Sequence, residues 1–197
     1  MTRDFAITLL LKYVKNPYLI RHALIVEGVM LELAVKTGYT ETANEWACVG
    51  LLHDIDYEAC PEEHCVKALE IFKLEGVPDS IAASAVSHGY GLTNITIEPT
   101  HPMEKVLFAI DELTGLLYAC TLLRPSKSSK DLEVKSALKK FHSPSFASKC
   151  SRETILNGIE RLGWDLENTL QMTIDAMRKH EDDIESFITS YSKNTGS

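Results

Sequence analysis

The sequence predicts an all-α protein, a bundle of short helices. Three observations carry this. Apolar residues recur at the helical period almost throughout, Pro and Gly stand where helices would start and stop, and only "TNITI" (93–97) offers a weak strand. Residues 3–15 read as a short amphipathic segment. A second helix begins at Pro17, a favourable first-turn residue, and runs to Lys36 with Gly38 as its stop. A third spans about Glu41 to His53. "PEEHCVKALEIFKLEG" (61–76) opens with Pro and two acids, which suit the positive end of a helix, and closes on Gly76. "PDSIAASAVSHG" (78–89) is a shorter helix closed by Gly89, and residues 89–101 form a loop. A long helix covers about Pro102 to Arg124. "RPSKSSKD" (124–131) is a loop, and three more helices follow near 131–141, 152–162 and 166–190. The terminal "SKNTGS" is expected to fray. The chain shows no internal repeat or low-complexity tract. We expect one domain over 1–197, with a core of about 17–124 and a C-terminal helical extension of about 125–192.

Bulk properties set the surroundings. At 197 residues the chain can bury one sizeable core, and its 45% hydrophobic content is that of an ordinary globular protein. A net charge of −8 repels nucleic acid and anionic lipid, so neither is an expected partner. Five cysteines without a CxxC suggest reduced thiols in a cytoplasmic protein. The N-terminus lacks the apolar core and cleavage site of a signal peptide, and no run approaches a membrane span. Assembly into a homo-oligomer stays open.

Polar residues that interrupt the apolar faces are the informative ones. His22 sits one turn from Tyr18, Leu19, Ile25 and Val26; taken alone it reads as a core histidine bonded to a carbonyl. Asp111, in "KVLFAIDELTGLLYA", has Leu107, Phe108, Thr114 and Gly115 as neighbours and no Lys or Arg within one turn. A buried carboxylate costs several kcal/mol unless a cation or strong donors meet it. Gly115 weakens its helix and leaves room for something bulky. "ACVGLLHDIDYE" (47–58) carries His53 and Asp54 to the end of an apolar run, with Gly50 one turn back. His22, His53, Asp54 and Asp111 together make a plausible N/O ligand set for a transition metal or Mg, and one shared cation would account for all four.

These residues carry a resemblance. His22, the His53-Asp54 doublet in "LLHDID" and Asp111 in "AIDELTG" resemble the H…HD…D pattern of the HD-domain superfamily of metal-dependent phosphohydrolases. Within it, "EEHCVKA", "VSHG" and "DELTGLLYACTLLRPSKSSKDLEVKSALKKF" are similar to a group of small, largely uncharacterised bacterial HD-domain proteins. The resemblance covers roughly residues 17–150. It implies an HD-domain helical bundle with a central metal site and extra C-terminal helices. One or two divalent ions (Mn, Fe, Mg, Ni or Zn) are implied as cofactor. His22, His53, Asp54 and Asp111 are the implied core ligands. His64 and His88 either bind a second ion, bridged by Asp54, or face the substrate phosphate. Asp54, His64 and His88 are then the expected catalytic residues. Asp56 stands where many relatives have the Gly of HDIG, which leaves its role open.

The remaining sites rank lower. "RPSKSSKDLEVKSALKKF" is the one basic stretch of an acidic chain. It is either a solvated face or a source of phosphate contacts, with Arg124 and Lys127 as the expected substrate-binding residues. His101, in a Pro-rich loop, and His180, in the charged "RKHEDD" face, read as bystanders. Trp46 and Trp164 read as packing. The implied function is a metal-dependent hydrolase of phosphate esters, whether phosphomonoesterase, phosphodiesterase or nucleotide hydrolase, acting on a small phosphorylated metabolite. A diiron oxygenase on the same fold, and a binding module without catalysis, are the alternatives.

Overall fold

The computed structural model describes residues 1–195. Nine α-helices and no strand are present among them: α1 (Arg3–Tyr13), α2 (Pro17–Lys36), α3 (Ala43–Leu52), α4 (Val66–Leu74), α5 (Asp79–Val86), α6 (Pro102–Leu122), α7 (Val134–Phe141), α8 (Arg152–Leu162) and α9 (Leu166–Thr195). Short 3-10 turns cover Thr40–Thr42, Pro61–Glu63, Ser87–Gly89 and Ser129–Asp131. No helix among the described residues is long and apolar enough to cross a membrane.

Local chemistry explains most boundaries. Asn16 caps α2, accepting from the Tyr18 N–H at 2.9 Å, and Pro17 follows at a position whose N–H has no helical partner. His101 is not idle: it caps α6 by accepting the Met103 N–H, while Glu104 reaches back to the His101 N–H at 2.9 Å. Gly38 and Gly76, two residues past their helices, take the left-handed φ that ends them.

The expected strand is absent and several helix boundaries differ from those the sequence predicts. Residues 93–97 form no strand, because no second strand is there to pair with. The helix expected from Pro61 begins only at Val66, since Cys65 takes φ 67° and breaks the run. The segment after Leu123 leaves the helix at once, and α7 starts at Val134 rather than 131. The C-terminal helix runs past 190 to Thr195, into the "SKNTGS" segment expected to fray; Gly196 and Ser197 of that segment lie outside the described residues.

The centre of the bundle is α2, buried along eleven residues and packed on α3, α6 and α9. One hydrophobic core takes side chains from all nine helices, among them Leu10, Val26, Leu51, Phe72, Ile81, Leu113, Phe141, Ile155 and Ile174. The C-terminal helices are therefore not an appendage. Leu170, Ile174 and Met177 of α9 lie in the same core as α2, and α8 lies along α6. Trp46 is buried and packs on Tyr39 with ring centroids 5.1 Å apart. His180 packs over Gly28 and meets Glu32 at 3.0 Å, so it joins α9 to α2.

The α6–α8 contact is closest at Gly158, where an added Cβ would sit 2.5 Å from the Ala109 Cα. The obstacle is backbone, which cannot rotate away. Gly158→Ala gains about 1 kcal/mol of helix propensity but forces two helices apart, which costs about 1–3 kcal/mol. We expect a net loss of stability in urea denaturation with helix content unchanged.

Candidate metal centre

Five segments converge on one point. α2 supplies His22, the end of α3 and the turn after it supply His53, Asp54 and Asp56, and the link before α4 supplies His64 and Cys65. The 3-10 turn after α5 supplies His88, and α6 supplies Asp111. Close approach of α2 and α3 makes this possible. A Cβ on Gly50 would lie 2.9 Å from Met30 Cγ and 3.0 Å from the Val26 carbonyl oxygen.

All four core residues expected from the sequence meet. His22 Nε2 lies 3.0 Å from Asp111 Oδ1 and 3.8 Å from Asp54 Oδ2. His53 Nε2 lies 3.2 Å from Asp111 Oδ1 and 3.4 Å from Asp54 Oδ2. The other oxygen of Asp54 turns to a second pair, Oδ1 being 3.3 Å from His64 Nε2 and 3.5 Å from His88 Nε2. Donors bound at about 2.1 Å to one ion are spaced about 3.0 Å apart in an octahedron and about 3.4 Å in a tetrahedron. The observed spacings have that size.

The far side of each ring fixes what the near side offers. His53 Nδ1–H donates to the Gly50 carbonyl at 2.8 Å, and His88 Nδ1–H donates to the Ala85 carbonyl at 2.6 Å. A carbonyl only accepts, so these protons sit on Nδ1 and leave the Nε2 lone pairs facing inward. His64 Nδ1–H donates to Asp56 Oδ1 at 2.8 Å, with the same result. Two observations then call for a cation. The buried His53 Nε2 has no hydrogen-bond partner, because both nearby carboxylates lie off its hydrogen-bond direction. His64 Nε2 and His88 Nε2 face each other at 3.1 Å, lone pair against lone pair unless a positive charge lies between. Groups within His22, His53, Asp54, His64, Cys65, His88 and Asp111 have the spacing to hold a metal ion.

The structure gives Asp56, whose role the sequence left open, two partners. It is fully buried, its Oδ1 orients His64, and its Oδ2 accepts the Ala68 N–H at 2.9 Å in the first turn of α4. It orients a histidine of the cluster and caps a helix at once. His64 itself lies in the extended link before α4, not in the first helical turn as the sequence suggests.

In a cation-free protein, protons take the same role. Burial disfavours the charged form of the His53 ring, but Asp54 and Asp111 outweigh it and raise the pKa to about 10. Burial opposes charge on His64 and His88 as well, but Asp54 and Asp56 raise the first and Cys65 with Asp54 raises the second, so both shift upward. Burial pushes Asp54 and Asp111 up, yet the surrounding imidazoles hold both carboxyls well below their usual range. Burial and the neighbouring Asp111 raise the Glu112 carboxyl to about 7.

The centre opens into a cleft of about 360 Å³, lined by Tyr18, Tyr57, Leu92, Glu112, Lys149 and Cys150 besides residues of the cluster. Gly115 leaves the room expected of it, and Cys150 Sγ fills it, 3.3 Å from where a Cβ would stand. The two expected substrate cations are elsewhere. Arg124 pairs with Asp131 at 2.7 Å, off the line of its N–H, and lines a different cavity with Leu132 and Lys139. Lys127 lines a third, with Arg21, Tyr118 and Glu181. Their loop is tied to α9 instead: Glu181 accepts from the Ser129 N–H at 2.7 Å, and Lys130 pairs with Asp182. The cation of the cleft is Lys149, which sequence reasoning passed over. It lies about forty residues along the chain from Asp111, the nearest residue of the cluster, and only the folded loop reveals it. Arg152 builds that loop by donating to the carbonyls of Phe141, Ser143, Phe146, Ala147 and Cys150.

No protein-family model, no curated protein and no solved structure matches this chain.

Two outcomes follow from the geometry. His53 has a folded pKa of about 10 against an ordinary 6.5, so its stabilisation is complete below about pH 6.5 and lost as pH rises through 10. The depressed carboxylates act oppositely, losing their contribution only in acid. Metal-free protein should therefore melt at lower temperature at pH 9 than at pH 6, and a divalent cation should remove most of that difference; a pH series of thermal melts checks both. Asp56→Asn places an amide donor against either His64 Nδ1–H or the Ala68 N–H. Titration calorimetry should find divalent-ion binding that involves His64 weakened about 10–100-fold and binding at His22, His53 and Asp111 nearly unaffected; equal weakening of both would contradict the role of Asp56.

Proposed function

We propose that the protein is an HD-domain phosphohydrolase that uses two divalent ions to hydrolyse a small phosphorylated metabolite. The observation that carries this reading is the division of Asp54: one oxygen faces His22 and His53, the other His64 and His88, at the floor of a cleft that also holds a lysine. His22, His53, Asp54 and Asp111 would hold the first ion, and Asp54, His64 and His88 the second. Imidazole-rich donor sets favour Mn, Fe, Ni or Zn over Mg, which prefers oxygen ligands. Ions held there supply Lewis acidity at a phosphoryl group and lower the pKa of water.

The chain's own groups do the rest. Asp56, Gly50 and Ala85 lock the histidines in the ligand tautomer. Lys149 reaches the cleft as a point charge for a phosphoryl oxygen, where negative charge is spread over the equatorial positions in the transition state. Tyr57 stacks edge-on against His64 with centroids 5.1 Å apart, and with Tyr18 and Leu92 it offers an apolar surface to the remainder of the substrate.

A phosphate-release screen over nucleotides and sugar phosphates, run with and without each metal, tests the reading. Metal-dependent release is expected. Asp111→Ala should abolish it without unfolding the chain, because the change removes a buried charge along with a ligand. Lys149→Ala should raise KM about tenfold, the scale of one charge-assisted hydrogen bond, at unchanged metal content. Equal phosphate release by Asp111→Ala and the parent sinks the proposal, and O2 consumption without phosphate release replaces it with the diiron oxygenase.

A further inference from the structure

The second ion position has a donor that a histidine-carboxylate centre does not need. Cys65 is fully buried, and its Sγ lies 3.7 Å from His88 Nε2. His64, Cys65 and His88 offer ligand atoms that all lie within 4.8 Å of one another. A nitrogen bound at about 2.1 Å and a thiolate bound at about 2.3 Å to one tetrahedral ion stand about 3.6 Å apart. The observed contact is of that length.

The backbone is bent to bring this about. His64 is extended, with φ −52° and ψ 142°, and the next residue of an extended chain normally points its side chain to the opposite face. Cys65 instead takes φ 67°, in the left-handed region that side chains other than those of Gly, Asn and Asp rarely enter. That conformation turns its Sγ back toward the ring of His88. The opposite wall makes room: a Cβ on Gly89 would stand 2.6 Å from Cys65 Sγ. A cysteine that merely filled the core would require neither feature.

We infer that Cys65 is a protein ligand of the second ion position, completing an N2SO set with His64, His88 and Asp54 Oδ1 that selects a thiophilic divalent ion of the Zn2+ or Fe2+ class over Mg2+ and Mn2+. The inference rests on the two-ion reading of the centre. The donor chemistry divides the two positions: the first offers two imidazoles and two carboxylate oxygens, the second replaces one oxygen by sulfur, a softer ligand. Binding forms the metal–sulfur bond and releases the thiol proton to solvent.

Cobalt loading of the full chain tests this without an activity assay. Chelator-treated protein is titrated with Co2+ while bound metal is counted and the near-ultraviolet thiolate-to-cobalt charge-transfer band is recorded. The expected result is two ions per chain and the band. It should survive in Cys150→Ser, which changes the other cleft cysteine, and vanish in Cys65→Ser and Cys65→Ala. Gly89→Ala should weaken it by displacing Sγ. Zn2+ binding at one position should fall more than about tenfold in both Cys65 variants while Mn2+ binding holds. Melts and circular dichroism of the metal-free variants establish that they fold. Two bound ions without a band, or a band that persists in Cys65→Ser, overturns the role of Cys65 and leaves the two-ion centre standing. No bound ion in the parent protein overturns both.

Discussion

Two ionised carboxylates, Asp54 and Asp111, are set among four imidazoles at the mostly buried floor of a cleft, and the rest of the molecule is arranged around that constraint. Charges so placed are costly unless positive charge meets them. No lysine or arginine does so at the floor of the cleft. The positive charge must therefore be shared, as protons on the imidazoles or as ions between them. Both states satisfy the same contacts, and the difference between them is readable as pH dependence.

Helix ends are the tool that aims the rings. The last carbonyls of a helix lack intrahelical donors. His53 and His88 each follow a helix and satisfy a carbonyl three residues back with Nδ1–H. One hydrogen bond thus caps the helix, sets the tautomer and points Nε2 at the centre. His64 has no helix end behind it, and Asp56 takes the place of the carbonyl. Because Asp56 also caps α4, any shift of that helix moves His64. Ligand geometry and helix packing are one structure here.

The C-terminal third contributes in two separate ways. α9 packs along α2, and its Glu181 and Asp182 tie the loop after α6 to the bundle through Ser129 and Lys130. The connection between α7 and α8, gathered by Arg152, brings Lys149 and Cys150 over the cleft. The cleft's lysine thus comes from a segment that contributes no side chain to the His/Asp cluster.

The sequence by itself determined the all-α class, most of the helices to within a few residues, and the set His22, His53, Asp54 and Asp111. These are local properties: apolar periodicity, Pro and Gly at helix ends, and polar side chains standing alone on apolar faces, which physics allows only when something distant answers them. The start of α4, the partner of Asp56, the inward turn of Cys65 and the identity of the cleft cation were decided by tertiary structure alone. Each depends on a contact between segments far apart in the chain. Arg124 and Lys127 show the difference best: proximity to Asp111 along the chain suggested a role at the site, but a helix carries residues away from one another at about 1.5 Å per position. Lys149 arrives because the loop that bears it folds back, and nothing in its immediate neighbours records that.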